Sequence, residues 1–253
     1  MITASSGPWS TKRSSTEAIQ GIMYTKLSAV LVVGCLLVGC GQEAVSVRQT
    51  GVGTGSVEIR GEVWADNWFA FYLGETLVAE DTVPITTERS FNAEVFEFKA
   101  DYPLVLNFVV KDFKQDDSGL EYIATRRQQI GDGGFIAQFT DVSTGQTIAV
   151  TDENWKCYVL HEGPLDPACA EVRSPQPGIA PCDFLRREEP AGWKSAGFDD
   201  GSWTLVSSYS EREVRPKEGY DQIRWDGSAR LIWSSDLKLH NTVLVRLVIE
   251  EPR

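Results

Sequence analysis

From Val57 onward the apolar positions of this chain fall mostly in twos. Val57-Glu58-Ile59-Arg60-Gly61-Glu62-Val63 alternates apolar and polar residues, which predicts a strand with one buried face. Trp68 to Leu73, the turn Gly74-Glu75 and Thr76 to Ala79 predict a hairpin. Phe91 to Val95 alternates again, and the apolar phase then moves to Phe96 and Phe98, which predicts a β-bulge. Leu104 to Val110 is almost wholly apolar, as in a central strand covered on both sides. Asp112 to Gln129 is mostly polar and reads as a long loop. Beyond it, Phe135 to Phe139, Thr147 to Val150, Trp155 to Leu160, Ala229 to Trp233 and Asn241 to Ile249 read as further strands. No helical apolar period extends beyond two turns, and no repeat of solenoid length occurs. Short strands separated by turn signals predict an all-β sandwich or jelly roll.

The N-terminal pattern is different. Met23-Tyr24-Thr25-Lys26 leads into the apolar run Leu27 to Gly39, then Leu37-Val38-Gly39-Cys40 closes it and a polar stretch follows. A spanning helix needs about 20 apolar residues, so the run is short for one and fits a signal peptide. The segment resembles the lipobox of bacterial lipoproteins. The resemblance implies a diacylglycerol on the Cys40 thiol and cleavage just before it. Cys35 is followed by Leu36-Leu37 rather than a polar tether, so Cys40 is the better site. Residues 1–40 are then a leader, with the true start expected at Met23. Residues 41–56 are a flexible tether ending in Gly, Thr and Ser, and 57–253 are the folded domain. Gly41 after the cysteine, where an Asp often marks inner-membrane retention, implies the outer membrane if the cell has one. A single acyl chain binds membranes marginally and two or more bind firmly, so a lipidated Cys40 implies permanent anchoring in the cell envelope.

Charge narrows the partners. The chain has 24 basic and 36 acidic side chains; three of the former and one of the latter precede Gly41, leaving 21 against 35, a net charge of −14. Such a body repels phosphate backbones and anionic headgroups, which excludes nucleic acid and leaves the lipid as the membrane attachment. Eight Trp, eleven Phe and seven Tyr beside two Met suit pleated, half-buried surfaces and reinforce the all-β expectation.

Five segments in order, "ADNWFAFYLGETLV", "GDGGFIAQF", "TDENWK", "GWKSAGFDDGSW" and "ARLIWSSD", resemble the galactose-binding-domain-like jelly roll found as accessory modules on rhamnosidases and other glycoside hydrolases. The resemblance runs loosely from Gly61 to Trp233. It departs at Gly74-Glu75, where the family has Asn-Gly. It implies a galactose-binding-like β-sandwich that binds carbohydrate or acts as a spacer, rather than a catalyst.

Candidate chemistry is sparse. Asp66-Asn67 and Asp199-Asp200 offer clustered oxygens for a calcium ion or sugar hydroxyls, but Asp and Asn also start turns by accepting from nearby backbone N–H groups, and the turn is preferred. Calcium is the one cofactor that the pattern allows. Gln115-Asp116-Asp117-Ser118-Gly119 lacks the alternation and closing Glu of an EF-hand loop. Gly131-Asp132-Gly133-Gly134 precedes a strand and lacks the ending of a phosphate loop, so it is a turn. His161 and His240 have no ligand spacing and are expected at the surface. No Gly-x-Ser-x-Gly elbow is present. Cys169 and Cys182 bracket a Pro-rich loop that a disulfide would close, with Cys157 a buried free thiol, although other pairings remain open. Trp64, Trp68, Trp193, Trp203, Trp225 and Trp233 are candidate sugar platforms. Trp68 beside Asp66 and Asn67, and Trp225 in its loop, are the ones to examine for exposure.

These features rank three functions. First comes a membrane-anchored, non-catalytic lipoprotein binding a carbohydrate or other envelope component, with Asp66, Asn67, Trp68 and Trp225 as ligand contacts. A structural scaffold for envelope proteins comes second. A carbohydrate hydrolase comes last, since it needs two carboxylates converging roughly 5–10 Å apart and nothing in the sequence selects them.

Overall fold

The structure is a computed structural model that describes residues 47–50 and 52–252. The leader and the lipidation site Cys40 lie outside the described residues. The first strands are β1 (Val47–Gln49), β2 (Val57–Asp66), β3 (Trp68–Leu73), β4 (Thr76–Glu80), β5 (Ala93–Ala100) and β6 (Leu104–Lys111). Next come β7 (Leu120–Glu121), β8 (Gln129–Ile130), β9 (Gly134–Asp141), β10 (Thr147–Val150) and β11 (Lys156–Glu162). The last are β12 (Leu185–Arg186), β13 (Thr204–Leu205), β14 (Ser207–Tyr209), β15 (Leu231–Trp233) and β16 (His240–Ile249).

Two seven-stranded sheets form a sandwich. The first runs β1-β5-β2-β9-β15-β14 with β10 beside β9; the second runs β12-β11-β16-β6-β3-β4 with β13 beside β11. The period-2 residues read from the sequence meet between them: Ile59, Val63 and Ala65 from β2, Phe135, Ala137 and Phe139 from β9, Phe69 and Phe71 from β3, Phe108 and Val110 from β6, and Val243 and Val245 from β16. Phe71 is the hub of the aromatic packing, with Phe96, Phe98, Phe108 and Phe139 all within 5.6 Å centroid to centroid. Among the described residues, no helix is long and apolar enough to cross a membrane.

Two expectations change. Val47–Gln49, read as tether, pairs in parallel with β5, so the sheet begins ten residues before Val57. The expected bulge in β5 is absent: its pairing with β2 runs unbroken from Val57↔Ala100 to Trp64↔Ala93. Both faces of β5 are buried instead. Phe96 and Phe98 face the core between the sheets, while Ala93 and Val95 pack outward against Trp64, Phe91, Val214 and Ile223. The change of apolar phase therefore records a second covered face.

The outer face of the second sheet positions the site. Its upper part is roofed by the 193–203 segment, whose Trp193 and Trp203 pack on Leu244 with Val109, Tyr158 and Leu160 around them. Arg246, only 1 % exposed, fastens this roof: Nε donates to Asp200 Oδ2 at 3.0 Å, Nη2 to the Ser195 carbonyl at 3.0 Å and Nη1 to Asn107 Oδ1 at 2.9 Å. Lys156 Nζ reaches Asp200 Oδ1 at 2.6 Å from the neighbouring strand. Asp199 accepts from the Gly201 N–H at 2.9 Å. The Asp199-Asp200 pair is thus a turn and a strut.

Candidate functional site

Below the roof, the same face stays open. Trp68, Lys111 and Thr242 are cross-strand neighbours on β3, β6 and β16, because Trp68 pairs with Lys111 and Lys111 with Thr242. On β11 the register shifts between Val159 and His161, next to Leu160. The chain then returns along this edge, with the Arg187 N–H donating to the Leu160 carbonyl at 2.7 Å. The result is a groove of about 780 Å³ with Val109, Lys111, Leu160 and Thr242 on its floor. Lys114 and the run Arg186-Arg187-Glu188-Glu189 wall it.

The groove is more basic than the body around it. Lys114 pairs with Asp117, whose other oxygen lies 3.8 Å from Arg186. Arg187 sits 3.5 Å from Glu162 and donates to the Val159 carbonyl at 3.3 Å. Glu189 accepts from Trp193 and from Lys194. Lys111 has no carboxylate partner among the described residues; its ammonium lies 4.5 Å over the Trp68 ring. Burial, reinforced by the charge of Lys114, pulls the Lys111 pKa below its ordinary value.

His161 also lines the groove but is buried, 4 % exposed, and stacked on Phe184 at 5.7 Å. Burial first, then Lys114, lowers its pKa to about 4, so it is neutral at ordinary pH. His240 is half-buried, with Nδ1 2.6 Å from Ser234 Oγ and Nε2 3.9 Å from Glu162. Ser234 is 1 % exposed, so this trio is closed to a substrate. The surface placement expected for His161 fails because the returning β12 and Phe184 cover that edge of β11, and His240 is half-buried beside Ser234 and Glu162.

Asp66 and Asn67 are buried at 2 % and 0 % exposure. The Asn67 side chain is consumed by the fold: Oδ1 accepts from the Phe113 N–H at 2.6 Å and Nδ2 donates to the Glu88 carbonyl at 3.2 Å. Asp66 pairs with Lys217 Nζ at 3.3 Å, which also lies 3.8 Å from Asp132. Their reading as ligand contacts therefore gives way to a structural one. Asp66 has company that the sequence did not reveal. Asp112, just past β6, is 3 % exposed, and neither carboxylate oxygen has a hydrogen-bond partner among the described residues. Burial raises the pKa of Asp66 well above the carboxylate range, opposed by Lys217; burial, then the charges of Asp66 and Glu121, do the same to Asp112. No group of three or more His, Cys, Asp or Glu among the described residues is arranged to hold a metal ion.

Of the tryptophans proposed as platforms, Trp64, Trp193, Trp203 and Trp233 are buried. Trp68 and Trp225 are half-buried. Trp225 lies on the outer face of the first sheet, donating Nε1–H to the Tyr220 carbonyl at 3.2 Å with its ring tilted against Tyr220. Trp68 and Trp225 thus serve opposite faces of the sandwich and cannot share one ligand. In the acidic loop Gln115 to Gly119, read as lacking the EF-hand pattern, Asp116 accepts from the Ser118 N–H, and a side chain at Gly119 would meet the Gly163 carbonyl at 1.8 Å. In the Gly131–Gly134 turn, Gly133 lies against Trp233, where a Cβ would come within 2.3 Å.

Cys169 and Cys182 form a disulfide with Cα atoms 4.9 Å apart, and Cys157 is a buried free thiol. The groove itself was not singled out from the sequence. Its signals were the Lys111 that ends an apolar strand and the run Arg186-Arg187-Glu188-Glu189, 75 residues apart and joined only by sheet register. No protein-family model, curated protein or solved structure matches the chain.

Proposed function

We propose that this protein is a membrane-anchored, non-catalytic lipoprotein whose galactose-binding-like jelly roll binds a carbohydrate or another component of the cell envelope. Cys40 carries the lipid, the polar residues that follow it give the domain reach, and the sandwich presents its groove to the ligand. The anchor sits in the outer membrane where the cell has one. The observation that carries the binding reading is the groove on the outer face of the second sheet. It is open and floored by both apolar and polar side chains, the mixture that suits a sugar with its apolar ring faces and hydroxyl edges.

The roof supports this reading. A buried Arg246 with all three donor groups engaged, and two tryptophans stacked over Leu244, hold the 193–203 segment on one half of the sheet face. The other half is left uncovered beside the wall formed by Lys114 and the run Arg186 to Glu189. Screening the purified full-length chain in detergent against a panel of soluble polysaccharides tests the proposal. Binding of at least one member at micromolar affinity is expected. A folded protein that retains no member of the panel contradicts it.

A further inference from the structure

We infer that the groove on the second sheet selects an anionic polysaccharide, one whose sugars carry carboxylate, sulfate or phosphate groups; this deepens the binding function proposed above and rests on it. Four cations, Lys111, Lys114, Arg186 and Arg187, gather from two stretches of chain around one opening, on a body with a net charge of −14. A random patch on so acidic a surface would be negative.

The arrangement of the four matters more than their number. Arg186, Lys114 and Arg187 are turned towards Asp117 and Glu162, which fix them in place without closing the groove. Asp117 is shared between two cations, so the pair of them keeps a surplus charge. Lys111 stands on the floor with Lys114 as a like-charged neighbour, no carboxylate partner among the described residues and its ammonium over the Trp68 ring. A half-buried cation lacking a counter-ion costs free energy until an anion arrives. The ring of Trp68 is not a free stacking platform on that side. It positions the Lys111 ammonium, and so acts on the ligand through Lys111. The exposed Arg186 guanidinium on the wall presents a planar fork, which matches the paired oxygens of carboxylate, sulfate or phosphate, while Arg187 stays turned to the Val159 carbonyl and Glu162. Glu188 and Glu189 stand exposed in the same wall. They disfavour a uniformly dense polyanion such as nucleic acid and suit a chain on which charge is spaced by neutral hydroxyl surface.

The test titrates the full-length chain in detergent with polygalacturonate, dextran sulfate, polyphosphorylated mannan and unsubstituted dextran, at low and at physiological salt. Binding of at least one charged polymer is expected, weakening as salt rises. Lys111→Gln should weaken it about tenfold, the worth of a charge-assisted contact, and Trp68→Ala about threefold, the worth of a cation–π contact. Thermal melting of each variant confirms that it is folded. Comparing the three charged polymers identifies which oxyanion is preferred. Binding of unsubstituted dextran as tight as that of the charged polymers, or charged-polymer binding untouched by Lys111→Gln, overturns the inference. If the dextran binding is also lost on filling the groove with Thr242→Trp, the carbohydrate function stands and only the anionic selectivity falls. Absence of any polymer binding by the folded chain removes both.

Discussion

Arg246 Nε and Asp200 Oδ2 lie 3.0 Å apart, joining a residue buried in the middle of β16 to a turn 46 positions earlier. Burial works against the Asp200 carboxylate, but the hydrogen bonds and charges of Lys156 and Arg246 outweigh it and hold its pKa below the ordinary value. Removing one partner of a buried ion pair leaves the other charge uncompensated, a loss of about 3–5 kcal/mol. Asp200→Ala is therefore expected to lose stability on that scale in urea denaturation, with Trp193 and Trp203 fluorescence shifting to the red as the roof loosens. Asp199→Ala removes one turn hydrogen bond and should cost about 1 kcal/mol. Equal losses for the two variants would contradict the assignment of Asp200 as the strut.

Asp112 gives a pH signature. Its folded pKa is raised by burial and by the charges of Asp66 and Glu121, so between the unfolded value and the raised folded value the folded state holds a proton that the unfolded state has released. Stability from this group is present below the unfolded pKa, about 3.9, and is lost as pH rises towards the folded one. Asp112→Asn removes the titration. The unfolding free energy of the variant minus that of the native protein should climb with pH above about 4, at up to about 1.4 kcal/mol per unit. A difference that stays flat between pH 4 and 8 would show that Asp112 is not held protonated.

The Cys169–Cys182 bridge spans 13 positions and is packed against Leu120. A loop of that length loses about 3 kcal/mol of stabilisation when the crosslink is removed. Cys169→Ser with Cys182→Ser should lower stability by that amount, while the Arg187 and Glu188 side of the groove, downstream of the loop, becomes more open to amide exchange. An unchanged denaturation midpoint in the double variant would contradict this.

Much of the sandwich is legible in the sequence because its strands bury alternate residues. Ile59 and Val63 in β2, and Phe69 and Phe71 in β3, face the core as the period of two predicts. The reading falters where a second layer covers the outer face, as at Val95 and Leu244, since apolar residues then appear on both phases. The disulfide was legible from spacing and composition. The site was not. Asp66 and Asn67 looked like ligands because clustered oxygens in a turn look the same whether water, metal or backbone satisfies them; only the Phe113 N–H and the Glu88 carbonyl show which. Trp68 was picked for its neighbours in sequence, yet its partner is Lys111, opposite it on the adjacent strand. Lys114 and Arg187 carried no pattern, because what brings them together is the register of β6, β16 and β11 and the path of the chain across them.

The measurement that bears most directly on the binding function is a comparison of native protein and Thr242→Trp on one polysaccharide panel. Thr242 lies on the groove floor between Lys111 and β11, half-exposed, so an indole there fills the opening without entering the core. The native chain should bind at least one polysaccharide, and Thr242→Trp should lose that binding at least about thirtyfold, or 2 kcal/mol, while melting within a few degrees of the native protein. Undiminished binding by a folded Thr242→Trp would place the ligand elsewhere on the sandwich and contradict the groove as the site.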